Sequence, residues 1–87
     1  MNNTIIWHAN AWQDYLYWQE NDKKMLCKIN NLIKAISRDP LTGIGKLEAL
    51  KHALDDCWSR RINQEHRLVY KIVDHESLYI LQCHYHY

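Results

Sequence analysis

The sequence contains few residues that interrupt regular secondary structure. Its 87 residues include one proline and two glycines, and Pro40, Gly43 and Gly45 lie close together. No segment is repetitive or dominated by a few residue types, so nothing else divides the chain. We therefore expect a single domain, residues 1–87, with one modest core and two halves of different character.

The sequence also lacks long apolar runs and paired cysteines. No run is long enough to cross a bilayer, and residues 1–10 have neither the basic nor the apolar region of a secretory signal. The three cysteines are odd in number and widely separated, which argues against a disulfide framework and favours a reducing compartment. These absences predict a soluble, cytoplasmic protein that does not contact membranes.

Neither sign of charge is in clear excess. Eleven Lys/Arg and ten Asp/Glu give a formal net charge of +1, so only a local cluster of cations could indicate a nucleic-acid-binding protein. Phe is absent, but four Trp and six Tyr supply aromatic area together with polar groups. Such residues suit a core that borders a wet surface.

The front half is predicted to contain one strand and two helices. Residues 4–8 are β-branched and aromatic, which favours a strand. Residues 10–20 favour a helix, because the residues expected on its inner side recur at three- and four-residue spacing: Ala11, Trp12, Tyr15, Leu16 and Gln19. Asp22 is a suitable N-cap for a second helix, which we expect to end before Pro40.

The second helix is predicted to be amphipathic. Its apolar stripe comprises Met25, Leu26, Ile29, Leu32, Ile33 and Ile36. Its lysine-rich side is expected to face solvent, with attraction to ribosomal RNA as a weaker alternative. Cys27 is expected on or near the apolar side, where a free cysteine is buried and inert rather than nucleophilic.

The back half favours strands. Residues 58–62, 67–73 and 78–83 are β-prone and separated by polar links, which predicts an antiparallel meander. Residues 47–57 are ambiguous and fit a strand end followed by one helical turn. A small antiparallel sheet with the two N-terminal helices packed on one side is an α+β fold.

Polar chemistry concentrates in residues 46–52, 60–61, 66–67 and 84–87. If a hairpin turns near residues 63–65, Arg61 and Arg67 lie opposite each other on one face. Cations beside aromatic residues suit RNA, which offers phosphate charge and unpaired bases for stacking. Simpler alternatives exist for each group. Glu48 and Lys51 could form an exposed ion pair, either Arg60 or Arg61 could be only a solvated edge charge because the two alternate in a strand, and the terminus could be frayed.

A metal site is a further alternative at the end of the chain. Cys83, His84 and His86 are all capable ligands, but no four ligands occur at zinc spacing. We therefore expect no metal.

Five blocks, in order, resemble one family nearly end to end: WxDYxYWQ at residues 12–19, KINxLIK at 28–34, GxGKxExLKH at 43–52, WSRRIxxEHRLVY at 58–70 and CxYHY at 83–87. Together they resemble the YoeB/Txe toxins of the RelE superfamily, which belong to type II toxin–antitoxin modules. Two departures stand out. Ala49 replaces a usual proline and His84 replaces a frequent arginine, which bears on rate and codon preference.

The resemblance implies a RelE-like fold and a ribosome-dependent endoribonuclease that cleaves mRNA without metal or cofactor. It places Glu48, Arg67, His86 and Tyr87 in the active site. It also implies RNA-binding cations: Lys46, Lys51 and Arg61. The implied partners are the ribosomal A site with its 16S rRNA, the mRNA, and a cognate YefM/Axe-like antitoxin, and a homodimer is left open.

The chemistry implied for these residues is acid–base cleavage. Glu48, ionised at neutral pH, would take the ribose 2′-hydroxyl proton, and protonated His86 would supply a proton to the departing 5′-oxygen. Arg67 would stabilise charge on the phosphorus oxygens. The competing hypothesis is a non-catalytic protein that sequesters an antitoxin or binds an operator.

Overall fold

The computed structural model describes residues 4–38, 48–50, 57–73 and 77–84, with the backbone alone at 48–50. The predicted α+β class is confirmed. In chain order the elements are β1 (Thr4–Trp7), α1 (Ala9–Asn21), α2 (Lys23–Arg38), β2 (Glu48–Leu50), β3 (Cys57–Arg61), β4 (Arg67–Val73) and β5 (Ser77–Gln82). Within the described ranges, neither helix is long and apolar enough to cross a membrane.

The strands form one sheet in the order β1-β5-β4-β3-β2. Strands β2 to β5 pair antiparallel in sequence order, as the predicted meander requires, and β2 comes from the ambiguous segment. Strand β1 differs, because it pairs parallel with β5, from Thr4 opposite Ser77 to Trp7 opposite Ile80. A parallel pair needs a long crossover connection, and the chain between the first and last strands supplies one.

Asp22 ends one helix and begins the next, as predicted. Its backbone N–H donates to the Trp18 carbonyl at 2.9 Å. Its carboxylate oxygen accepts from the N–H groups of Lys24 at 3.1 Å and Met25 at 3.2 Å. These bonds satisfy donors that the first turn of α2 cannot pair internally. Helix α2 then ends at Arg38, before Pro40, also as predicted.

Both helices contribute to a core on one face of the sheet. Five residues of the predicted α2 stripe are buried and Leu26 is half-buried, while the lysine-rich side is exposed. The facing sheet residues alternate along β4 and β5: Leu68, Tyr70, Leu78 and Ile80. Period-two alternation places Arg67 and Val69 on the opposite face.

Two predictions about the helices are wrong. The inner side of α1 is rotated toward Trp18, which is 6% exposed, whereas Trp12 is 44% exposed and Gln19 is also exposed. The reason is tertiary packing: Trp18 belongs to the hydrophobic core, and its indole Nε1 donates to the Cys83 carbonyl at 2.8 Å. Cys27 is exposed. It follows the buried Met25 by two residues, and in an α-helix this places the two side chains about 200° apart around the helix axis.

Candidate functional site

Two acceptors, the Asn63 side chain and the His66 carbonyl, stabilise the turn of the hairpin between β3 and β4. The Asn63 side-chain oxygen accepts from the N–H groups of Glu65 and His66, both at 2.8 Å. The His66 carbonyl accepts from the N–H groups of Ile62 at 2.8 Å and Asn63 at 3.2 Å. This local turn chemistry, typical of Asn, sets the register of the two strands.

The register places Arg61 directly opposite Arg67, which confirms the predicted pairing. Arg61 is exposed. Its neighbour Arg60 is fully buried on the helix-facing side, where its Nε donates to the Tyr70 hydroxyl at 3.2 Å. The expectation that only one of these two neighbouring arginines faces solvent is therefore confirmed.

Burial raises the pKa of the Tyr70 phenol, and the nearby Arg60 only partly opposes this shift. Tyr70 therefore stays protonated at neutral pH and does not neutralise Arg60. The Arg60–Tyr70 contact belongs to the core rather than to the arginine pair on the other face.

Arg67 is nearly enclosed, at 4% exposed. Its Nε donates to the Ser59 hydroxyl at 2.8 Å and its Nη2 donates to the Ser59 carbonyl at 3.3 Å. A guanidinium keeps its charge when buried and presents its donors in one plane. The site thus holds a fixed, desolvated cation, and charge–charge interactions strengthen in such surroundings.

The backbone of Glu48, on β2, is separated from that of Arg67, on β4, by the intervening strand β3, which carries Ser59. Strand β2 pairs with β3 so that Glu48 is opposite Ser59, Ala49 opposite Trp58 and Leu50 opposite Cys57. Neighbouring strands are about 4.8 Å apart. The sheet therefore brings the predicted base position beside the serine that binds Arg67.

Helix α1 holds the chain where β5 ends. The backbone N–H of Cys83 donates to the Asp14 carboxylate at 3.0 Å, and its carbonyl accepts from Trp18. Burial raises the pKa of the Cys83 thiol to about 12, with Asp14 adding to the shift. Cys83 therefore stays a protonated thiol, which disfavours it as a metal ligand because the thiolate is the ligand form.

An aromatic cluster lies beside this point. The rings of His66 and His84 are 5.0 Å apart, and His66 is 4.8 Å from Trp18. Burial lowers the pKa of His66, His84 lowers it further, and Glu65 and Asp14 oppose the shift. His66 is therefore neutral at neutral pH.

The remaining predicted site residues lie outside the described residues: Lys46, Lys51, His86 and Tyr87. Within the described part of the chain, no three His, Cys, Asp or Glu residues are grouped so as to hold a metal ion.

Sequence reasoning gave no role to Ser59, Asp14 or Trp18, although all three lie in the motif blocks. Asp14 and Trp18 bond Cys83, 69 and 65 residues further along the chain, and no local pattern indicates such contacts. Ser59 bonds Arg67 across the hairpin, eight residues away, so the predicted hairpin register was the signal that could have found it.

Comparison with known proteins defines the class to which this fold and site belong. The family described as the YoeB-like toxin of bacterial type II toxin-antitoxin systems matches residues 7–87. Toxin YoeB of Escherichia coli strain K12 is 57% identical over 83 residues, which cover 95% of this chain and 98% of that relative. The chain therefore belongs to the YoeB family of toxins.

Solved structures agree with the family assignment. The YoeB dimer from Staphylococcus aureus has a TM-score of 0.91 and 50% identity, with both chains fully covered. The YoeB–YefM complex from the same organism has a TM-score of 0.88 and 50% identity, covering 100% of this chain and 99% of that one. The resemblance seen in the sequence motifs is thereby confirmed.

Proposed function

We propose that this toxin is a ribosome-dependent endoribonuclease, a single cytoplasmic domain spanning residues 1–87, that cleaves mRNA in the ribosomal A site and so inhibits translation. The observation that carries the proposal is the local geometry around Ser59. Arg67, a buried cation bound to Ser59, lies opposite exposed Arg61, and the Glu48 position pairs with Ser59 from the next strand.

The proposed reaction uses the RNA's own 2′-hydroxyl. Glu48 takes the hydroxyl proton, the 2′-oxygen bonds to phosphorus, and the bond from phosphorus to the 5′-oxygen breaks. His86 gives a proton to that oxygen, which leaves a 2′,3′-cyclic phosphate and a 5′-hydroxyl. Arg67 stabilises the charge that develops on the phosphorus oxygens, and Tyr87 packs on or hydrogen-bonds the nucleotide. We propose that no metal or cofactor takes part.

RNA binding is assigned to cations around this centre. Arg61 is exposed and can meet a flanking phosphate with two parallel donors. Lys51 and Lys46 are proposed to hold further phosphates. A domain of net charge +1 has little general attraction for free RNA, so we propose that the ribosome and its 16S rRNA present the message.

The partners are proposed from the relatives. The Staphylococcus aureus YoeB forms a complex with YefM and a dimer. We propose that this chain likewise binds a YefM/Axe-like antitoxin, and that it forms a homodimer.

The test is to induce the toxin alone in cells and map new mRNA 5′ ends, beside Glu48→Gln, Arg67→Ala and His86→Gln variants. The unmodified protein is expected to stop growth and create 5′-hydroxyl ends at codons. Glu48→Gln and His86→Gln should each lower cleavage at least 100-fold, since a placed proton-transfer group contributes about 10²–10⁴ in rate. Arg67→Ala should also lower it at least 100-fold, since one donor aimed at developing charge contributes about 10²–10³.

The matched control is Lys34→Gln, which removes a cation from the exposed side of α2 and leaves the proposed centre intact. It should cleave within about twofold of the unmodified rate. If the unmodified protein binds an antitoxin but creates no new ends, the non-catalytic hypothesis replaces this one.

A further inference from the structure

Ser59 holds one edge of the Arg67 guanidinium with two separate atoms. The hydroxyl oxygen accepts from Nε at 2.8 Å, and the backbone carbonyl oxygen accepts from Nη2 at 3.3 Å. Nε and Nη2 lie on the same edge of the planar group. Because the guanidinium is rigid, binding this edge also sets the directions of its other N–H donors.

The sheet register explains why a serine can do this. Ser59 pairs with Val69 and Arg61 pairs with Arg67, so Ser59 and Arg67 are diagonal neighbours on one face. Diagonal residues lie about 7–8 Å apart, a distance that a long side chain spans. Ser59 is 1% exposed, so water has little access to compete for its hydroxyl.

From this geometry we infer that Ser59 is a positioning residue for Arg67: it orients the guanidinium toward the phosphate that is cleaved. The inference rests on the proposed function, in which Arg67 stabilises the transition state. A small hydroxyl side chain fits the role because it accepts a hydrogen bond at the strand surface and leaves room for the arginine. Ala or Val at this position would keep the backbone carbonyl but would offer no side-chain acceptor for Nε.

A positioning role can be distinguished from a purely structural role by its separate effects on kcat and KM. Misorienting Arg67 weakens interactions made in the transition state, so kcat falls while KM for mRNA-programmed ribosomes stays nearly constant. Hydrogen bonds to charged groups are among the stronger ones in proteins. We therefore expect Ser59→Ala to lower kcat about tenfold or more and to change KM by less than about twofold.

Two variants serve as controls. Ser59→Thr keeps the hydroxyl on a residue type favoured in strands, and it should retain at least about half of the unmodified kcat. Ser77→Ala makes the same chemical change in β5 of the same sheet, away from Arg67, and should leave both constants unchanged.

A measurement that needs no activity follows the hydrogen bond directly. In the NMR spectrum of the unmodified protein, the Nε proton of Arg67 should exchange with water much more slowly than that of exposed Arg61. In Ser59→Ala it should exchange at least about tenfold faster than in the unmodified protein, because the hydrogen bond from Nε is lost while Arg67 stays buried. Rapid exchange of Arg67 in the unmodified protein overturns the inference, even if Ser59→Ala does not fold.

The remaining outcomes separate this inference from the proposed function. A Ser59→Ala variant with unmodified kcat, or equal losses in Ser59→Ala and Ser59→Thr, overturns the positioning role alone. An Arg67→Ala variant that cleaves at the unmodified rate overturns the proposed role of Arg67, and the inference with it.

Discussion

Replacing Trp18 by Phe tests the contact between α1 and the end of β5. The indole Nε1 donates to the Cys83 carbonyl at 2.8 Å in a buried setting. Phe keeps an aromatic ring but has no donor, so the carbonyl loses this partner at about 1–3 kcal/mol. The smaller ring also leaves unfilled space, which adds about 1–2 kcal/mol.

The expected sum is a loss of about 2–5 kcal/mol in the free energy of unfolding, a large part of the stability of a small domain. For a domain of this size it corresponds to a fall in Tm of at least about 8 °C. Urea unfolding followed by far-UV circular dichroism measures the free energy, and calorimetry measures Tm.

Trp12→Phe is the matched control in the same helix. Trp12 is 44% exposed, and its ring contacts with Trp7 and Tyr15 are of a kind that Phe can still make. Trp12→Phe should lower the free energy of unfolding by less than about 1 kcal/mol. Equal losses in the two variants, or a loss below about 0.5 kcal/mol for Trp18→Phe, would refute the reasoning.

Three further predictions concern stability. Tyr70→Phe removes the hydroxyl that accepts from the buried Arg60 Nε, and chemical denaturation should show a loss of about 1.5–3 kcal/mol; an unchanged midpoint would contradict it. Asp22→Ala removes the N-cap of α2 and should lower stability by about 1 kcal/mol, whereas Asp22→Asn should lose less. The lowered pKa of His66 means that the unfolded chain binds its proton first, so stability should fall as pH drops below about 6.5; His66→Asn should show a shallower fall between pH 7 and 5.

Most secondary structure followed from local patterns because the forces that select it act over a few residues. The α2 stripe repeats at helical spacing, Asp22 caps its own neighbours, and Asn63 closes a turn within three residues. The opposition of Arg61 and Arg67 was predictable for the same reason, since a short hairpin sets the register of its two strands.

The orientation of α1 was not predictable in this way. Trp12 and Trp18 are the same residue type in one helix, and spacing alone favoured Trp12. Trp18 is buried because it packs in the hydrophobic core and because its indole bonds Cys83, 65 residues further along the chain. Spacing within the helix does not encode these long-range contacts.

The candidate site also has a part that the sequence predicted and a part that only the structure shows. Motif blocks predicted roles for Glu48, Arg61 and Arg67 by residue type and order, because the proposed RNA cleavage needs an acid–base group and cations. Those blocks could not show that Ser59 binds Arg67, or that the Glu48 position pairs with Ser59. The first depends on how side chains pack across β3 and β4, and the second depends on how β2 aligns with β3.

The amino-acid order was therefore sufficient for the helix and strand segments, the hairpin and the identity of the toxin family, because each is encoded in short-range spacing or in a matching set of residues. Sheet order, the parallel pairing of β1 with β5, the rotation of α1 and the anchoring of the Arg67 guanidinium required the folded molecule. They depend on contacts between separate helices and strands, whose geometry is set only when the core packs and buried polar groups find partners.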